Sequence, residues 1–250
     1  MSFRFSLPNQ PRINLVNEEL LTIGDWFIAV GASIAKPAHL TLRAVGQVHR
    51  VPRLPQPVLI VSDSRMREGG KYRWDRTTGA PLDIRLNPKS DHLELTFALE
   101  IGHLLDHQAL GTPGEFASVA HPRLAGWRNV VESSRSFQKL EDLQAAGTIP
   151  YRFADGVIRQ VEVGLIAGYL LEPPELFSRS YSQFIAGESR NAILQAQLHG
   201  FRRPENPSSV VPYYWDDDDF AAVAASLRRL IIEVGWNRTV TSPGSRRSRP

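Results

Sequence analysis

Apolar and polar positions along this 250-residue chain change period several times, and each change marks an expected element. Asn17, followed by Glu18 and Glu19, reads as a helix start leading into LLTIGDWFIAVGASI (20–34). HLTLRAVGQV (39–48) and PVLIVSD (57–63), bounded by Pro and Gly, read as strands. KYRW (71–74) and LDIRLN (82–87) alternate around the turn-like DRTTGAP, the pattern of a hairpin.

Next comes FALEIGHLLDHQALG (97–111), which has helix signals at both ends. Asp91 with Glu94 three residues later has capping-box spacing, and Gly111 with Pro113 forms a stop. GTPGEFASVAHPRLAGW reads as a loop, and VESSRSFQKLEDLQAAG (131–147) as a polar helix. In AGYLLEPPELFSRSYSQFIAG, Pro173 and Pro174 suit a first helical turn. Leu176, Phe177, Tyr181, Phe184 and Ile185 follow at the spacing of a core-facing stripe. WDDDDF announces a last helix, with Asp216 to Asp219 favourably placed at its positive end and Arg228 and Arg229 further along.

Composition narrows the choices. The chain has no cysteine, which excludes disulfides, thiolate metal sites and a cysteine nucleophile, and suits a reducing cytoplasm. No segment has the length and apolarity of a membrane span, and the first fifteen residues contain no signal-like apolar run. The net charge of +3 rests on Arg238, Arg246, Arg247 and Arg249. Without them 25 basic residues face 26 acidic ones. Residues 1–237 therefore read as one nearly neutral domain and 238–250 as a disordered basic tail, with no nucleic-acid or membrane partner expected. No P-loop, G-x-S-x-G or G-x-G-x-x-G spacing is present.

Chemistry concentrates on the helix around residue 100. On a helical wheel Glu100, His103, Asp106 and His107 share about 120° of arc, with Leu99 among them. Phe97, Ala98, Ile101, Leu104 and Leu105 take the other side. Two imidazoles four residues apart on a helix can hold one metal ion, and a carboxylate beside the first reaches the metal-bound water as a general base. Leu99-Glu100-Ile101-Gly102-His103 has that spacing with a leucine in the place of the first histidine.

TFALEIGHLLDHQALG resembles the HExGHxxD helix of zincin-type metallopeptidases, and YLLEPPELFSRSYSQFIAG resembles the glutamate helix of gluzincins, especially lethal-factor-like and phage-associated metallopeptidases. The resemblance runs from about Tyr72 to Ile185. It implies an α+β zincin-like fold, mostly helical, with a small mixed sheet whose edge strand, LDIRLN, covers the active-site cleft and pairs with extended substrate. It implies a zinc cofactor, a peptide or protein substrate, and hydrolysis by a metal-activated water. Residue by residue, Glu100 matches the general base, His103 the second ligand and Glu175 the third. Asp106 matches the acidic residue that orients a ligand, and Tyr169 stands near the position of an oxyanion-assisting tyrosine.

Leu99 cannot bind zinc, and three arrangements remain open. The fold has lost its chemistry and survives as a pseudo-peptidase that binds peptides or acts as a scaffold. Alternatively His107 replaces the missing ligand, since His103-Leu104-Leu105-Asp106-His107 resembles the inverted H-x-x-E-H motif. Or both histidines are ordinary, partly buried side chains. Leucine and histidine codons can differ by one base, so Leu99 also reads as an inactivating substitution.

Overall fold

Residues 18–31, expected as a helix, form two strands. The computed structural model describes residues 18–23, 26–50, 54, 58–153, 155–202 and 210–237; Asn17 and the basic tail lie outside the described residues. β1 (Glu18–Ile23) and β2 (Trp26–Gly31) pair antiparallel with Ile23 opposite Trp26. β-branched and aromatic residues dominate β2 and lose rotamer freedom in a helix, and Gly24-Asp25 is a hairpin-type dipeptide. The reverse correction applies to 39–48, expected as a strand: it belongs to helix α1 (Ala35–Val48). Its buried Ala38, Thr41, Leu42 and Val45 fall at i, i+3, i+4 and i+7, the period of a helix.

The expected strand at 57–63 is β3 (Val58–Ser62), and the expected hairpin is β4 (Gly70–Trp74) with β5 (Pro81–Leu86). The sheet runs β1-β2-β3-β5-β4, with β2, β3 and β5 parallel and the two outer strands antiparallel to their neighbours. The edge strand beside the helix that carries Glu100 and His103 is thus β4. LDIRLN, expected at the edge, lies between β3 and β4. Arg73 and Asp83, opposite each other in the β4–β5 register, form a two-pronged ion pair at 2.6 and 2.5 Å that fixes this alignment.

Helix α2 (Leu93–Gln108) is buried on nearly every side, so its polar face lies inside the protein. It starts after His92 without a side-chain cap, so the expected Asp91–Glu94 box does not form. Gln197 takes its place: its Oε1 accepts from Leu95 N at 2.8 Å and its Nε2 donates to Glu94 Oε2 at 2.5 Å. Gln197 comes from α8 (Ala192–Phe201), and a partner so distant in sequence leaves no local signal.

The stretch read as a loop after Gly111 contains α3 (Ala117–Ala120), a short 3-10 turn and α4 (Ala125–Glu132). The polar helix is α5 (Arg135–Ala146), whose first turn is bound by Asp219 through Arg135 N and Ser136 N. A hairpin of β6 (Thr148–Arg152) and β7 (Ile158–Glu162) follows, then α6 (Gly164–Leu170) and α7 (Pro173–Glu188). Pro173 and Pro174 do occupy the first turn of α7, and WDDDDF does open a helix, α9 (Asp217–Glu233). α7 is buried through most of its length. Ser178, Ser180 and Ser182 are tolerated there because each hydroxyl donates to the carbonyl three residues back.

The result is a mixed α+β fold in which α2 is the central helix, packed against α1, α7, α8, β4 and β5. Among the described residues no helix is long and apolar enough to cross a membrane.

Candidate functional site

α2 and α7 approach closely because Gly102 has no side chain, and this brings His103 to Glu175. His103 Nε2 lies 3.3 Å from Glu175 Oε1. Ser178 Oγ, one turn beyond Glu175, is 3.1 Å from the same nitrogen and donates its own proton to the Glu175 carbonyl. His103 Nε2 is therefore the donor, shared between a carboxylate and a hydroxyl oxygen. Tyr169, from the last turn of α6, donates to Glu175 Oε1 at 2.5 Å. Glu175 stands in the first turn of α7, where the helix dipole favours its negative charge.

Burial sets the protonation of this cluster. The Glu100 carboxyl is pushed up to about 7, first by burial and then by the Glu175 charge, against the opposing pull of His103. Burial draws the His103 imidazole down, but the bond to Glu175 and the charges of Glu175, Glu100 and Asp106 outweigh it, and its pKa is raised. Glu175 moves the other way: burial raises it, yet contact with His103 and the bond from Tyr169 bring it below the usual range. Burial and the Glu175 charge raise the Tyr169 phenol, which stays a proton donor. The site thus holds an ionised Glu175 beside a positively biased imidazole, with a carboxyl near its midpoint at neutral pH one turn away.

Glu100 is held by the sheet. Tyr72 N, on β4, donates to Glu100 Oε2 at 2.6 Å. Asp106 faces α3, accepting from Ser118 N at 2.7 Å and Ser118 Oγ at 2.6 Å; burial pushes its carboxyl up to about 7 against those bonds. It acts on His103 through its charge, while its hydrogen bonds run to α3 at Ser118 and Ala117. His107 turns to a different set of partners: its Nδ1 meets Tyr72 Oη at 2.9 Å and Gln108 Nε2 at 2.8 Å. Its ring packs among Tyr72, Trp74 and Phe116, and burial lowers its pKa.

The structure therefore brings together Glu100, His103, Glu175 and Tyr169, four residues separated by up to 75 positions. Leu99, one helical turn before His103, is partly buried and brings only hydrocarbon. A protein zinc site takes three or four ligands. Among the described residues no group of three His, Asp or Glu side chains is placed to hold a metal ion. With His107 bound to Tyr72 and Gln108, the donors as they stand do not fit zinc.

Sequence reasoning missed three parts of the site. Ser178 could have been found as the residue one turn past Glu175. The Tyr72 backbone donor carries no side-chain signal. Arg179, buried beneath Glu175, donates through Nε to the Glu175 carbonyl at 3.3 Å and anchors that turn. No protein-family model matches this chain, and no curated protein and no solved structure matches it.

Proposed function

We propose that this protein is a metallopeptidase-like protein of the zincin type, with the peptide cleft retained and hydrolysis impaired at the position of Leu99. The reading is carried by one observation: His103 and Glu175, matched to two zinc ligands from segments far apart in sequence, lie 3.3 Å from each other. Glu100, matched to the general base, has a carboxyl at about 7, suited to accept and return a proton near neutrality. Tyr169, matched to the oxyanion-assisting group, donates into the same cluster. A set of four role-matched residues is more specific than a histidine pair on one helix.

With leucine at position 99 the protein lacks the third donor, so the proposed role is that of a peptide-binding relative of peptidases. Zinc content tests this. The purified protein should hold well under one zinc per chain, and Leu99→His should bring the content to one, because an imidazole four residues before His103 completes a three-ligand set. Elemental analysis finding a full zinc in the unmodified protein, or none after Leu99→His, would overturn the reading.

A further inference from the structure

Tyr72 and Ile84 face each other across β4 and β5, and the Tyr72 N–H points away from β5, because it donates to Glu100 Oε2 at 2.6 Å. In an antiparallel ladder the residues of such a pair turn both backbone groups outward. Gly70, two residues earlier and opposite Leu86, has the same phase. β4 is the last strand of its sheet among the described residues. Its outer edge is where an added strand would pair, and the Tyr72 N–H is its central donor.

That donor is engaged by the protein itself. The carboxyl of Glu100 lies flat against the strand: a Cβ built on Gly70 would stand 2.9 Å from Glu100 Oε1 and 3.0 Å from its Cγ. The same Cβ would meet Thr96 Cγ2 at 2.6 Å. The bare Cα of Gly70 and the N–H of Tyr72 thus form a seat that the Glu100 carboxyl fills. Oε2 is bonded, and Oε1 occupies the space that a side chain at position 70 would take.

We propose that Glu100 latches the outer edge of β4, and that an extended peptide pairs with this edge only when Glu100 leaves the Tyr72 N–H. One amide hydrogen cannot serve a carboxylate oxygen and a peptide carbonyl at full strength, so the two acceptors compete. Peptide binding then carries the cost of releasing Glu100, and the apparent affinity falls by the fraction of molecules that are unlatched. The inference rests on the peptide-binding reading above. It adds that the carboxylate matched to the base also controls access to the strand.

Amide exchange and peptide binding test the latch together. In the full chain, the Tyr72 amide should exchange about tenfold or more faster in Glu100→Ala than in the unmodified protein. Glu100→Gln keeps a carbonyl oxygen as acceptor and should stay protected, while the amides within α2 remain slow in both variants and report an intact fold. Oxidised insulin B chain, used as an unstructured extended probe, should bind Glu100→Ala about tenfold more tightly than the unmodified protein. Unchanged Tyr72 exchange in Glu100→Ala, equal or weaker peptide binding by that variant, or binding by neither form overturns the latch. Zinc uptake by Leu99→His does not pass through Tyr72, so it can succeed where the latch fails, and its failure retires the peptidase reading while Tyr72 exchange still reports the latch.

Discussion

A Cβ built on Gly102 would stand 2.8 Å from Ser178 Cα and 3.1 Å from Ser178 Cβ, so these two residues set the spacing of α2 and α7. Both helices are buried at this point, and neither backbone can retreat without disturbing the core around it. Gly102→Ala should therefore destabilise the protein by about 1–3 kcal/mol, although alanine is the better helix former. Urea unfolding measures the loss. A neutral or stabilising effect would mean that the helices shift apart freely and that the His103–Glu175 approach is not fixed by this contact.

Asp106 predicts a pH dependence with a definite sign. Burial raises its folded pKa from 3.8 to about 7. Between those values the unfolded chain has released a proton that the native protein keeps, so stability falls as pH rises through this window and levels off above it. Asp106→Asn cannot ionise, and its amide can still serve the Ser118 N–H and hydroxyl. The variant should match the wild type near the lower end of the window and gain on it steadily up to about pH 7. Glu100, also raised to about 7, adds a parallel decline that remains in both proteins. Urea midpoints at a series of pH values check this, and a pH-independent difference would show that Asp106 titrates normally.

The site was easier to read in the sequence than the first quarter of the fold. The polar positions of the helix around residue 100 follow local spacing, and Glu100, His103, Asp106 and Glu175 all lie in or beside one cluster. The N-terminal errors came from mixed periods. In α1, Leu40 and Leu42 alternate like strand residues, and the helical set shows only when Thr41 is counted as buried. Over β1 and β2 a dense apolar run outweighed the Gly24-Asp25 dipeptide in the sequence. The β6–β7 hairpin carried an Asp155-Gly156 dipeptide between two alternating runs, a usable signal. What no local pattern could supply was contact across the fold: Gln197 serving the start of α2, and a backbone N–H of β4 serving Glu100.

If Glu100 is the proton acceptor of the cluster, its role separates cleanly from metal holding. In the Leu99→His background, Glu100→Gln keeps shape and hydrogen bonding at Tyr72 but cannot take up a proton. Zinc content should stay near that of Leu99→His alone, while hydrolysis of a casein substrate should fall by about 100-fold or more. Elemental analysis and a peptide-release assay on the same samples decide it. Unchanged hydrolysis would remove Glu100 from the base role, and loss of zinc would make it a metal ligand.

Arg179 supports the site from below. It is 2% exposed, and no carboxylate oxygen forms an ion pair with it among the described residues. Its guanidinium instead donates to the backbone carbonyls of Glu175, Pro212, Tyr213 and Leu170, and stacks at 5.3 Å on the Trp215 ring. Burial lowers its pKa to about 10, which leaves it a cation at neutral pH. The planar fork joins the end of α6, the start of α7 and the 212–215 segment, so Tyr169 and Glu175 are held in register through one side chain. A lysine carries the charge but cannot reach carbonyls spread around a guanidinium plane. Arg179→Lys should therefore cost about 3 kcal/mol or more, because several buried carbonyls lose their donor. Urea denaturation followed by tryptophan fluorescence measures this directly. A loss under about 1 kcal/mol would mean that other donors satisfy these carbonyls and that the α6–α7 junction holds its shape without the guanidinium.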